Sequence, residues 1–116
     1  MNSTLGAVIA ALGEALALGD TLRLDRSVLL EVLTESPIGT TVRAKRANVE
    51  TGSCPPSFKL SLALKDLRLV NEVAGRAGRH LEVALASRDR LEEAAYSGAG
   101  DLDYSAVIAT ITADGE

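Results

Sequence analysis

Apolar residues recur every three or four positions along most of this chain, in runs separated by short polar or glycine-rich breaks. No stretch of useful length alternates apolar with polar, so the pattern predicts helices and no sheet. The reading is an all-α domain of five or six packed helices over residues 1–112, with a frayed tail at 113–116. The first helix is predicted from Asn2 to Gly19, with Asn2 or Ser3 as its cap and Gly19 as its stop. Leu5, Val8, Ile9, Leu12 and Leu16 form one stripe along it. Gly6, Ala10, Gly13 and Ala17 form a second, made only of small residues, and Glu14 is the single charge. A helix with so little polar surface is buried all round. Two readings stand: a central core helix, or a helix shared between two subunits or two domains.

Asp25 caps a second helix in which Val28, Leu29, Val32 and Leu33 repeat at helical spacing. After Pro37 a more polar helix carries Arg43, Lys45 and Arg46 on one side, as a solvated face or as a clamp for an anionic group. "TGSCPPS" is a loop by composition. A long helix runs from Phe58 to about Gly75, followed by a turn at "RAGRH". "LEVALASRDRLEEAAYS" is amphipathic, with Leu81, Leu85, Leu91 and Tyr96 inward. "GAGDLD" breaks the pattern, and Asp103 caps a last short helix, "YSAVIATI".

The long helix holds one anomaly, Lys65 and Asp66 in the middle of a leucine-rich run. On a wheel of about 100° per residue, Lys65 falls with Ser61, Arg68, Glu72 and Arg76 on the polar side. Asp66 falls among Leu62, Leu69, Val70 and Val73. A buried carboxylate needs hydrogen bonds or a cation, or it costs several kcal/mol. Asp66 is therefore expected to be structural and buried, with a partner from another helix, a backbone N–H or another subunit, and Lys65 to leave the helix at the rim.

Composition narrows the function. Aromatics are scarce and there is no Trp, so the core must be built from Leu, Val, Ile and Ala. The net charge of -4 provides no basic field, which argues against a nucleic-acid partner. One His and one Cys cannot assemble the common metal-ligand sets, and Cys54 has no partner for an internal disulfide. A reduced, cytoplasmic setting is the simplest expectation. The N-terminus has no basic signal-peptide region. The apolar run from Leu5 to Leu18 is interrupted by Glu14 and is shorter than the ~20 residues of a membrane span. Gly98-Ala99-Gly100 follows a helix and precedes a cap, so a helix–helix turn explains it better than a dinucleotide loop.

Three segments, in order, resemble the C-terminal helical domain of the β-hydroxyacid dehydrogenases. These are the 3-hydroxyisobutyrate dehydrogenase-like enzymes related to 6-phosphogluconate dehydrogenase. The segments are the opening helix with Asn2 and "EALALG", the block "PPSFKLSLALKDLRLV", and the close "GAGDLDYSAV". The resemblance implies the all-α C-terminal fold of that family and hydride transfer between NAD or NADP and a 3-hydroxy acid. It implies that Asn2 and Lys65 contact substrate, that Phe58 and Lys65 border the cofactor, and that Asp66 is structural. The family's general acid/base lysine lies four residues before that asparagine, upstream of Met1, so no catalytic residue is expected within the chain. NAD(P) binding is implied only together with an N-terminal Rossmann domain, in cis or in trans, and a homodimer is implied as the assembly. On this reading the chain is a substrate-cleft and dimerisation domain that is not competent alone. The alternatives are a free-standing helical dimerisation or interaction module without catalysis, or part of an imine reductase. "AGRHLE" departs from the family, in which a proline is common near Glu82.

Overall fold

The nearly charge-free first helix is the axis on which the others are laid. The computed structural model describes residues 3–113, and among these it forms six α-helices. They are α1 (Ser3–Thr21), α2 (Arg26–Thr34), α3 (Gly39–Thr51), α4 (Leu60–Arg76), α5 (Glu82–Ala94) and α6 (Val107–Ala113). A π-helical turn at Ala95–Ala99 and a 3₁₀ turn at Tyr104–Ala106 join the last two. The all-α expectation holds. Asn2 and the tail beyond Ala113 lie outside the described residues.

Along α1, Ile9, Leu12 and Leu16 are fully buried, and α4, α5 and α6 pack against it. The small-residue stripe makes the close approach possible. A Cβ added at Gly13 would lie 2.7 Å from Ile111 Cδ1, and one at Gly6 would lie 2.5 Å from Leu67 Cδ1. The glycine side of α1 is thus filled by α4 and α6 of the same chain, as the core-helix reading requires. By length and composition alone α1 is long and apolar enough to cross a membrane, but here it is the helix around which the others pack.

Two sequence expectations change for identifiable reasons. Gly19 does not stop α1, which continues to Thr21. The stop is a Schellman-type closure: Leu24 N–H bonds to Gly19 O (2.9 Å) and Arg23 N–H to Asp20 O (3.1 Å). Arg23 takes the left-handed conformation there, at φ 58°, a place where glycine is the usual signal. Tyr96 and Leu81 do not face inward either and are 85% and 41% exposed. The inner line of α5 is Ala84, Ser87, Leu91 and Ala94, mostly small because α1 crosses closely (a Cβ on Gly6 would sit 3.5 Å from Ser87 Cβ). At about 100° per residue, Tyr96 falls on the far side of the helix from the buried Leu91 and Ala94.

α4 presents Leu60, Ala63, Leu64 and Leu67 to the core, and Asn71 ties it to α5 by donating to Leu67 O and Ala84 O. Leu62, Leu69 and Val73, the arc that contains Asp66, are exposed.

Candidate functional site

α4 begins without a side-chain cap at Lys59. Its first N–H groups need acceptors all the same, and they find them in a segment some forty positions on (residues 100–106). Leu60 N–H bonds to Leu102 O (2.8 Å) and Ser61 N–H to Gly100 O (3.0 Å). In return Tyr104 N–H bonds to Phe58 O (2.9 Å) and Asp103 N–H to Cys54 O (3.1 Å). The "PPSFKL" and "GAGDLDYSAV" segments, separate in sequence, are therefore one seam in space.

Asp103 is the centre of that seam and is 0% exposed. Its Oδ1 accepts from Ser57 N (3.2 Å), Ser57 Oγ (3.0 Å) and Phe58 N (3.1 Å). Its Oδ2 accepts from Ser105 N (3.2 Å) and Ser105 Oγ (2.6 Å) and pairs with Lys45 Nζ at 2.9 Å. Lys45, 8% exposed, also donates to Ser57 Oγ (3.1 Å) and lies 4.6 Å from the centroid of the Tyr104 ring, a cation–π contact. Asn48, one turn on in α3, donates to Ser105 Oγ (3.0 Å). Phe58 is half-buried and meets Tyr104 edge to face, with ring centroids 6.1 Å apart.

Burial on its own would push the Asp103 carboxyl up, and it is the largest single influence. The bonds from Ser105, Lys45 and Phe58 together outweigh it and hold the group well below the usual carboxylate range. The Tyr104 hydroxyl is pushed up, first by burial and then by the negative charge of Asp103. With its oxygens engaged on both sides and its charge fixed, Asp103 is suited to hold structure, not to exchange protons.

The buried carboxylate expected at Asp66 is thus found at Asp103. Asp66 is only half-buried, and its side chain makes no hydrogen bond or ion pair among the described residues. The wheel went astray because it counted Leu62, Leu69 and Val73 as core, whereas α4 turns that arc to the outside. Lys65 lies where the wheel put it, exposed, and likewise without an ion-pair partner among the described residues. Of the residues singled out from sequence, Phe58 belongs to the seam, Lys65 lies one to two turns along the helix that the seam anchors, and Asn2 lies outside the described residues. Lys45, Asn48, Ser57 and Ser105 were missed as site residues. One signal was present: Lys45 stood on a basic face read as a possible anion clamp, and the anion is a carboxylate of the same chain. Asp103 was legible as a cap, which it is for Ser105, but its other bonds are tertiary.

The family model for the NAD-binding part of NADP-dependent 3-hydroxyisobutyrate dehydrogenase matches residues 1–111. The chain belongs to the 3-hydroxyisobutyrate dehydrogenase family. Several known proteins are similar along most of the chain. Glyoxylate/succinic semialdehyde reductase 1 of Arabidopsis thaliana is 30% identical over 96% of this chain. The cytokine-like nuclear factor N-PAC of Aedes aegypti is 31% identical over 88%. The crystal structure of 3-hydroxyisobutyrate dehydrogenase from Salmonella typhimurium superposes with a TM-score of 0.82 at 29% identity, over 93% of this chain. The chain spans 39% of the length of the Arabidopsis reductase, 18% of the mosquito protein and 39% of the Salmonella chain.

Proposed function

We propose that this chain is the substrate-cleft and dimerisation domain of an NAD(P)-dependent oxidoreductase acting on a 3-hydroxy acid. Its dinucleotide-binding Rossmann domain is supplied in cis or in trans. The observation that carries the reading is Lys65, an exposed cation with no ion-pair partner among the described residues, on the helix whose start is locked by the Asp103 seam. Such an ammonium suits a phosphate or carboxylate as a point charge. NAD(P), when bound, accepts or donates the hydride. On this reading Lys65 and Phe58 border that cofactor along one side. Among the described residues there is no strand leading into a glycine-rich helix start to cradle a pyrophosphate. In this reading Asn2 and Lys65 hold the substrate, and Asp66 has no proton-transfer role. A cytoplasmic setting accords with the single free thiol at Cys54. Dimerisation accords with the exposure of Leu18, Leu22, Leu24, Val28 and Val32, at the end of α1, in the turn after it and on α2.

The test is complementation. Joined to the remainder of the Salmonella 3-hydroxyisobutyrate dehydrogenase, the chain should restore 3-hydroxyisobutyrate oxidation, and Lys65→Ala should cut kcat/KM by the equivalent of about 2–4 kcal/mol. Failure of the unmodified fusion, or full activity of Lys65→Ala, would overturn the reading. Calorimetry on the separate chain should show weak or no binding of NADPH, and micromolar affinity would refute the need for a second domain. Light scattering should show a dimer. The Aedes relative, whose name is that of a nuclear factor, favours a second reading as an interaction module without catalysis. On that reading the unmodified fusion is itself inactive.

A further inference from the structure

The seam around Asp103 is costlier than capping a helix requires. A side-chain oxygen from Ser, Thr, Asp or Asn at position 59 would cap α4 locally. This chain instead buries a carboxylate and an ammonium, each of which loses its hydration. What this arrangement adds is connection. Asp103 joins the middle of α3 through Lys45, the 53–59 loop through Ser57 and Phe58, and the 3₁₀ turn through Ser105. Planar carboxylate geometry fixes the directions from which those donors arrive. Ser57 and Phe58 lead straight into α4, whose next two N–H groups are bound to Leu102 O and Gly100 O. The position of the first turn of α4 is therefore determined from three sides, and an α-helix carries that position rigidly along its axis. Lys65 follows Leu60 by little more than one turn.

We propose that Lys45 and Asp103 are positioning residues of the cleft: by fixing Ser57 and Phe58 they set where Phe58 and Lys65 stand, without touching a ligand themselves. The proposal rests on α4 being a cleft wall, as argued above. It assigns a role in ligand placement to two residues that are buried and fully engaged within the fold. A change at Asp103 should accordingly be felt at Lys65, and the two residues should be coupled.

The neutral double variant Lys45→Met/Asp103→Asn removes both charges together, so that no unpaired charge is left buried. In the 116-residue chain, amide hydrogen exchange at Phe58, Leu60 and Ser61 should quicken by about tenfold or more, with amides at Leu12 and Leu91 unchanged. Uniform quickening, or no change at α4, overturns the proposal, because the pair would then serve general stability only. If the double variant does not fold, Ser57→Ala, which removes one bond to Asp103 Oδ1 and leaves both charges paired, is measured in the same way. In the fusion with the remainder of the Salmonella 3-hydroxyisobutyrate dehydrogenase, the double variant and Lys65→Ala should each lower kcat/KM, and the triple variant should be little worse than Lys65→Ala. Losses that multiply would mean that Asp103 does not act through Lys65. If the unmodified fusion is inactive, the cleft reading falls by itself, and exchange at Phe58, Leu60 and Ser61 still decides whether the pair sets the first turn of α4.

Discussion

The start of α4 and its middle resolve the same difficulty, a charge beside leucines, in opposite ways. At the start, Asp103 is taken fully out of water and repaid by Ser57, Phe58, Ser105 and Lys45. In the middle, Asp66 stays half-exposed and Lys65 exposed, neither with an ion-pair partner among the described residues, beside the uncovered Leu62, Leu69 and Val73. The first solution gives rigidity. The second leaves a charge and an apolar arc available to something outside the domain. An element that is fixed at one end and open at the other is suited to presenting a side chain, because its orientation is settled before any ligand arrives.

The comparison can be broken most directly at Asp103. Asp103→Ala strands the Lys45 ammonium in the interior, and removal of one partner from a buried pair costs about 3–5 kcal/mol. Chemical denaturation should show a loss of that size. A loss below about 1 kcal/mol would place Asp103 with ordinary surface carboxylates.

Acid separates the two regions next. The carboxyl of Asp103 is held below its ordinary value of 3.8, so its contribution is fully present above that pH and is lost as pH falls further toward its folded value. The stability gap between the parent chain and Asp103→Asn should therefore be widest near neutrality and shrink on acidification below about pH 4. A gap that is constant from pH 7 to pH 2.5 would contradict this. Smaller is the effect of Asn48→Ala, which removes the donor to Ser105 Oγ at the edge of the seam and should cost about 0.5–1.5 kcal/mol. Smallest are Asp66→Ala and Lys65→Ala, each expected within about 0.5 kcal/mol of the parent in denaturant melts. A large loss for Asp66→Ala would show that the middle of α4 is covered in solution by a partner that gives Asp66 what Asp103 finds internally.

The seam explains why sequence reasoning fared differently along one helix. The existence of α4 was legible because Leu60, Leu64 and Leu67 repeat at helical spacing. Its buried face was misplaced because Leu62, Leu69 and Val73 repeat as well as the true core positions. Periodicity cannot rank two apolar arcs when both exist. In α5 the error had the same root: Ala84, Ser87 and Ala94 are small, so they look unimportant until a neighbouring helix is known to pass close by.

By itself the sequence determined the helices, since spacing, the Asp25 cap and the polar loop at residues 51–57 are local matters. It also determined the all-α class, because nothing alternates, and through three ordered motifs it pointed to the family. The small stripe of Gly6 and Gly13 announced a close helix contact, but not whose helix it would be. Tertiary structure alone decided that α4 and α6 fill it. It decided too that the buried carboxylate is Asp103 and that its cation is Lys45. Burial and pairing depend on which surfaces meet, and Lys45 and Asp103 meet only once α3, the 53–59 loop and the 3₁₀ turn have closed around the first turn of α4.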